Sequence, residues 1–205
     1  MTAIQLSNAE RVAIGIAAAA LLLQALGAAD ALELRRTLLA AQPWRVLTGH
    51  LVHLNWPHAL VNAAALVVVA RLFAHDLDAK RQATTLAIAA IVISVALTYG
   101  YRGIDWYRGL SGVIHALFFA GAAAWLASAR TFSLRTLWLP VALLVGGWIK
   151  VVAEQPSGDM LPHAEWLGAA VVPQAHLVGA ACGTAIGLGL ALADRRRGQQ
   201  RRQQQ

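Results

Sequence analysis

Six stretches of this chain contain no Asp, Glu, Lys or Arg, and their lengths constrain its fold more than any other feature. They run from Val12 to Ala29, Val46 to Ala70, Gln82 to Tyr101, Gly109 to Ala129, Thr136 to Ile149 and Trp166 to Ala193. A helix crossing a bilayer needs about 20 mostly apolar residues, within a range of about 17–25. Five of the six windows reach that range, and the fifth, with 14 residues, reaches it only if Lys150 sits at the helix end and snorkels to the interface. Two windows contain more than a helix, because the polar run Thr48 to Pro57 precedes the second span and Gly168 to Pro173 precedes the sixth. Only 13% of the 205 residues are charged, against about 25% in a soluble domain. That leaves too few polar groups to cover a globular surface in water. The reading is an all-α membrane protein, a bundle of six transmembrane helices. Residues 1–194 form one membrane domain and residues 195–205 a basic Arg/Gln tail.

Loop charges orient such a bundle. With the N-terminus in the cytoplasm, the inner side carries Arg11, Arg71, Lys80, Arg81, Arg130, Arg135, Arg195, Arg196, Arg197, Arg201 and Arg202. The outer side carries only Arg35, Arg36, Arg45, Arg102, Arg108 and Lys150, balanced by as many acids. The whole net charge of +7 then lies inside, and both termini are expected in the cytoplasm. The arginine cluster after the last span reads as a topology anchor or a contact to anionic lipid, so no nucleic-acid partner is expected. Gly27-Ala28-Ala29 resembles a signal-peptide cleavage site, but the apolar run before it is longer than the usual h-region and is preceded by a single arginine. A retained first helix is expected. The single cysteine, Cys182, allows no intrachain disulfide.

In this topology the second, fourth and sixth helices start on the outer side, and each carries polar residues near that start. The second has His58 and Asn62, with His50 and His53 just before it; the fourth opens with Gly109-Leu110-Ser111-Gly112 and has His115 one turn on; the sixth opens with Pro173-Gln174-Ala175-His176. Polar groups inside a membrane cost free energy and point to function. Ser111, in the first turn of its helix, keeps its backbone N–H unpaired beside the positive end of the helix dipole. That is the setting for a nucleophile whose substrate carbonyl becomes an oxyanion. The flanking Gly109 and Gly112 would let a substrate backbone approach. Alternatively, Ser111 is a small residue in helix packing.

A nucleophilic serine needs a base within hydrogen-bond reach. Two histidines compete: His115, at i+4 on the same face, and His176, across from the sixth helix. Gly179, Gly183 and Gly187 share the face of His176, and such spacing permits close backbone approach between membrane helices. His176 is therefore the preferred base. His58 and Asn62, also i and i+4, can present N–H donors to the oxyanion, although a satisfied buried pair is the blander reading. His50, His53 and His58 suggest a metal, but there is no H-E-x-x-H and no carboxylate within the helices to join them. No metal or cofactor is expected. His75 and His163 fall in loops.

These residues resemble the rhomboid family of intramembrane serine proteases. The resemblance rests on the six-helix layout, Trp44-Arg45, the run from His53 through His58 to Asn62, Gly109-Leu110-Ser111-Gly112, and Ala175-His176-Leu177-Val178-Gly179. It implies Ser111 as nucleophile, His176 as base, and His58, Asn62 and the Ser111 N–H as the oxyanion site. It implies a Ser–His dyad without a third carboxylate, and Val152 to Val172 as a mobile outer loop over the site. Where rhomboids often place a tyrosine against the catalytic histidine, this chain has His115, which could stack in the same way. The runs from Gly49 to His58 and from Gly109 to His115 look like the bacterial rhombosortase branch. That branch implies an inner-membrane enzyme whose partners are exported proteins with a C-terminal Gly-Gly-type sorting tail and a transmembrane helix. The rivals are a rhomboid-like protein that binds membrane clients without cleaving them, and a histidine-lined metal transporter.

Overall fold

The computed structural model describes residues 5–128, 134–155 and 171–204. The capping loop expected over Val152 to Val172 falls largely outside these residues. In chain order the helices are α1 (Asn8–Ala25), α2 (Ala29–Leu32), α3 (Arg45–Thr48), α4 (Trp56–Leu72), α5 (Ala79–Val95), α6 (Ser111–Ser128), α7 (Leu134–Ala153) and α8 (Pro173–Gln203). Five are long and apolar enough to cross a membrane, α5 counting with the π-turn Ala96–Gly100 that extends it. The second window, Val46 to Ala70, yields the shorter apolar helix α4, of 17 residues. It is short because Asn55 caps it, accepting a hydrogen bond from the His58 N–H at 3.0 Å, and Pro57 sits in its first turn. The first half of that window is spent on α3 and the turn after it.

The fifth span has Lys150 near its end, in the last turn and half-exposed, as its short charge-free window required. Its helix α7 runs for 20 residues, beyond the 14-residue charge-free window. Lys150 lies inside its last turn and bonds to Glu154 at i+4, 2.6 Å away. A cation near the helix C-terminus is favoured by the dipole and here has a counter-ion as well.

Helix α6 forms the centre. Ala116, Leu117, Phe119, Ala120, Ala122 and Ala123 are all fully buried. Helix α8 packs along it, and the expected glycine stripe does what its spacing suggested. A Cβ on Gly179 would lie 2.2 Å from the Gly112 carbonyl oxygen, one on Gly183 2.1 Å from that of Ala116, and one on Gly187 2.3 Å from that of Ala120. Those approaches are closer than any side chain tolerates, so the two backbones touch at three points over about two turns. Helix α7 lies at the rim, with Trp138, Val145, Ile149 and Val152 exposed. Large exposed apolar side chains of this kind suit lipid contact and would be a liability in water.

The segment between α1 and α4 is folded, which a charge count does not foresee. Leu34–Arg35 (β1) pairs antiparallel with Trp106–Tyr107 (β2), a two-residue departure from the all-α expectation. Arg45 is buried and donates to the Glu33 carbonyl at 2.7 Å and to Gln42 Oε1 at 2.6 Å. Arg36 Nη2 donates to the carbonyls of Leu97, Tyr101 and Ile104, covering the C-terminal end of the α5 π-turn. Glu33 is buried among Arg35 and Arg108. These arginines hold backbone in place, and β2 then delivers the chain to the start of α6.

Candidate active site

Three contacts fix the residues that lead into α6. The Tyr107 hydroxyl donates to the Gly109 carbonyl at 2.7 Å, the Leu110 N–H donates to His53 Nε2 at 3.4 Å, and the Gly109 N–H to the Gly49 carbonyl at 3.1 Å. Gly109 has φ +125°, a backbone conformation that L side chains rarely adopt. Its missing side chain also makes room for the ring of His58, whose Cε1 would lie 2.8 Å from a Cβ there. Gly112 faces Ile93, Ala175 and Tyr107. Both glycines thus serve close internal packing.

Ser111 is the first residue of α6, so its N–H has no acceptor within the helix. Its hydroxyl lies 2.9 Å from His176 Nε2. His176 sits one turn into α8 and is buried. Its Nδ1 is 3.0 Å from Glu154 Oε2. A carboxylate only accepts, so Nδ1 carries the proton and Nε2 is the acceptor for the Ser111 O–H. His115 stacks on His176 with ring centroids 4.2 Å apart and planes 14° apart, as its position one turn after Ser111 suggested. Its Nδ1–H donates to the Ser111 carbonyl at 2.7 Å, and its Nε2 accepts from Lys150 Nζ at 3.3 Å. Of the two competing histidines, His176 is the one on the Ser111 hydroxyl.

Glu154 overturns the expectation that no acid attends this site. It stands one residue past α7, 22 positions from His176 in sequence, and is buried. Burial raises its carboxyl pKa, but the hydrogen bonds from His176 and Lys150 outweigh that effect and hold it at about 2. The Gln155 side chain, bonded to the Val151 and Pro173 carbonyls at 2.9 and 3.1 Å, ties this turn to the start of α8. The i, i+4 spacing of Lys150 and Glu154 was readable in the sequence; the partner of Glu154 across the bundle was not.

On the other side of Ser111, His58 and Asn62 are buried on one face of α4. Both ring nitrogens of His58 and the amide nitrogen of Asn62 have no hydrogen-bond partner among the described residues. His58 and Ser111 line one narrow cleft with Leu54, Trp106, Tyr107 and Val172. The other histidines go elsewhere. His50 Nε2 meets the Ala90 carbonyl at 3.0 Å and its ring packs edge-on to Tyr107, while His53 stands edge-on to His58. Burial lowers the pKa of His50 to about 4 and that of His53 to about 3, and raises that of Tyr107 to about 12. Among the described residues, the ligand atoms of His115, Glu154 and His176 come within 4.8 Å of one another. The Lys150 ammonium, bonded to two of them, already supplies a cation there.

The Rhomboid domain family model matches residues 40–193, from just before α3 to the last apolar turn of α8. The chain belongs to the rhomboid family. It is a multi-pass membrane protein of a family of intramembrane serine proteases. No curated protein matches it. The rhomboid match takes in Ser111, His176, His58, Asn62 and Glu154 alike, and leaves α1 and the basic end of α8 outside.

Proposed function

We propose that this rhomboid is an active intramembrane serine endopeptidase with six spans, both termini in the cytoplasm, set in a bacterial inner membrane. One observation carries the proposal: the buried His176 Nε2 lies 2.9 Å from the Ser111 hydroxyl, within the 2.6–3.2 Å a general base needs. A substrate helix enters from the bilayer and unwinds near the outer face. His176 takes the Ser111 proton as the oxygen attacks the scissile carbonyl, and the oxyanion forms among His58, Asn62 and the Ser111 N–H. The imidazolium returns the proton to the leaving amine, and water then releases the acyl-enzyme with His176 again as base. The unpartnered donors of His58 and Asn62 support this role, because a buried donor left unpaired costs about 1–3 kcal/mol and an oxyanion would satisfy it.

The runs Gly49 to His58 and Gly109 to His115 favour rhombosortase-like substrates, exported proteins anchored by a C-terminal helix after a Gly-Gly-type tail. Cleavage of such a protein by the purified enzyme, together with fluorophosphonate labelling, tests the reading. Ser111→Ala and His176→Ala are expected to abolish both, and His115→Ala to reduce them by about 10-fold or less, the range of a lost packing contact. A folded wild type that neither labels nor cleaves would identify a client-binding rhomboid. Abolition by His115→Ala alone would reassign the base.

A further inference from the structure

We infer that Glu154 is the positioning residue of this site, so that the chain works with a Ser–His–Glu triad braced by Lys150. The inference rests on the protease reading above. Each carboxylate oxygen has its own partner: Oε2 meets His176 Nδ1 at 3.0 Å and Oε1 meets Lys150 Nζ at 2.6 Å. An i, i+4 ion pair closing the last turn of α7 needs only the second of these. The first fixes the tautomer and the ring plane of His176, because Nδ1–H is the only donor the ring has to offer Glu154 while Nε2 accepts from Ser111. The stack against His115 restrains the same ring from its face.

The arrangement also manages charge. When Ser111 Oγ gives its proton to Nε2 and bonds to the carbonyl carbon, His176 becomes an imidazolium in a buried position. The Glu154 carboxylate, which stays ionised and takes no proton, offsets that charge at hydrogen-bond distance until Nε2–H protonates the leaving amine. Among the described residues, the other polar groups about the ring are Ser111 and His115 on α6 and His58 on α4, with Tyr107 behind Ser111 and Lys150 behind Glu154. Among the described residues, none of these but Glu154 is an anion. Lys150, half-exposed while Glu154 is buried, tempers the carboxylate and keeps it from turning away.

The rate of fluorophosphonate labelling of Ser111, followed from pH 4 to 9 on the full-length protein in detergent, tests this without a known substrate. Glu154→Gln is expected to slow labelling by about 100-fold or more and to move the acidic limb of the profile to lower pH, since the imidazolium loses its anion. Lys150→Gln is expected to move that limb the opposite way, because the carboxylate then acts undiluted. A contact that merely closes α7 would produce no such opposed shifts. Labelling by E154Q within about threefold of wild type, or an unmoved limb in the folded variant, overturns the inference. Should E154Q fail to fold, an unmoved limb in K150Q overturns it alone. Ser111→Ala separates the two readings: labelling that survives there removes the protease assignment and this inference with it. Labelling lost in S111A but kept in E154Q removes only the triad.

Discussion

On the α8 side of Ser111 the polar atoms form a continuous chain, from Lys150 through Glu154 and His176 to the serine hydroxyl, with links of 2.6, 3.0 and 2.9 Å. On the α4 side, a similar depth of burial holds three nitrogens of His58 and Asn62 with no partner among the described residues. The first wall is complete before any ligand arrives. The second is held in place by packing, by the Asn55 cap and by the space at Gly109, but its donors face nothing. The contrast separates the two tasks of acyl transfer. A base must be aligned before the reaction begins, whereas oxyanion donors gain their acceptor only as the charge forms.

The largest effect that would sharpen the contrast is on the unsatisfied wall. Asn62→Ala should lower kcat about 10²–10³-fold, the usual loss of one oxyanion donor. Its melting temperature should stay close to wild type, because no protein hydrogen bond is removed. A large fall in stability with little change in rate would make His58 and Asn62 a structural pair and dissolve the contrast. On the satisfied wall the next effect is one of stability. Gly179→Ala sets a Cβ 2.2 Å from the Gly112 carbonyl, with backbone on both sides, and should cost about 3 kcal/mol. Gly189→Ala, in the same helix with nothing within 4 Å of its Cβ, should add up to about 1 kcal/mol. Thermal unfolding of the two variants side by side checks both. The smallest effect is a pH dependence. His50 and His53 are held neutral, with pKa values of about 4 and about 3, below the unfolded value of about 6.5. Between those limits the unfolded chain binds more protons, so stability is present above about pH 6.5 and falls as the pH drops, by about 2 kcal/mol for each ring at pH 5. His53→Gln should flatten that slope, and unfolding midpoints from pH 8 to 5 would show it.

Much of this was legible in the sequence because membrane insertion makes charge an expensive choice. Runs without charge located the helices, and the few polar residues inside them located Ser111, His58, Asn62 and His176. The glycine spacing on α8 correctly implied backbone contact, since nothing but a close neighbour explains three glycines on one face. Glu154 and Lys150 were missed for the same reason the others were found. They lie where a charge is unremarkable, at the end of a span, and only the fold brings that end against His176. A flexible residue beside a nucleophile suggests room for substrate; what the sequence does not tell is that Gly109 also makes room for the His58 ring. The arginines between α1 and α4 counted as topology signals, yet Arg36 and Arg45 spend their donors on backbone carbonyls.

The contact between α6 and α8 has a mechanical consequence. Because carbonyl oxygens of one helix rest against glycine Cα atoms of the other at three points over about two turns, neither helix can rotate or slide without backbone collisions. The spacing of the backbones that carry nucleophile and base is therefore a dimension of the frame, and the contacts of His176 with Glu154 and His115 set the ring upon it. Whatever door admits a protein substrate has to swing on hinges outside this pair of helices.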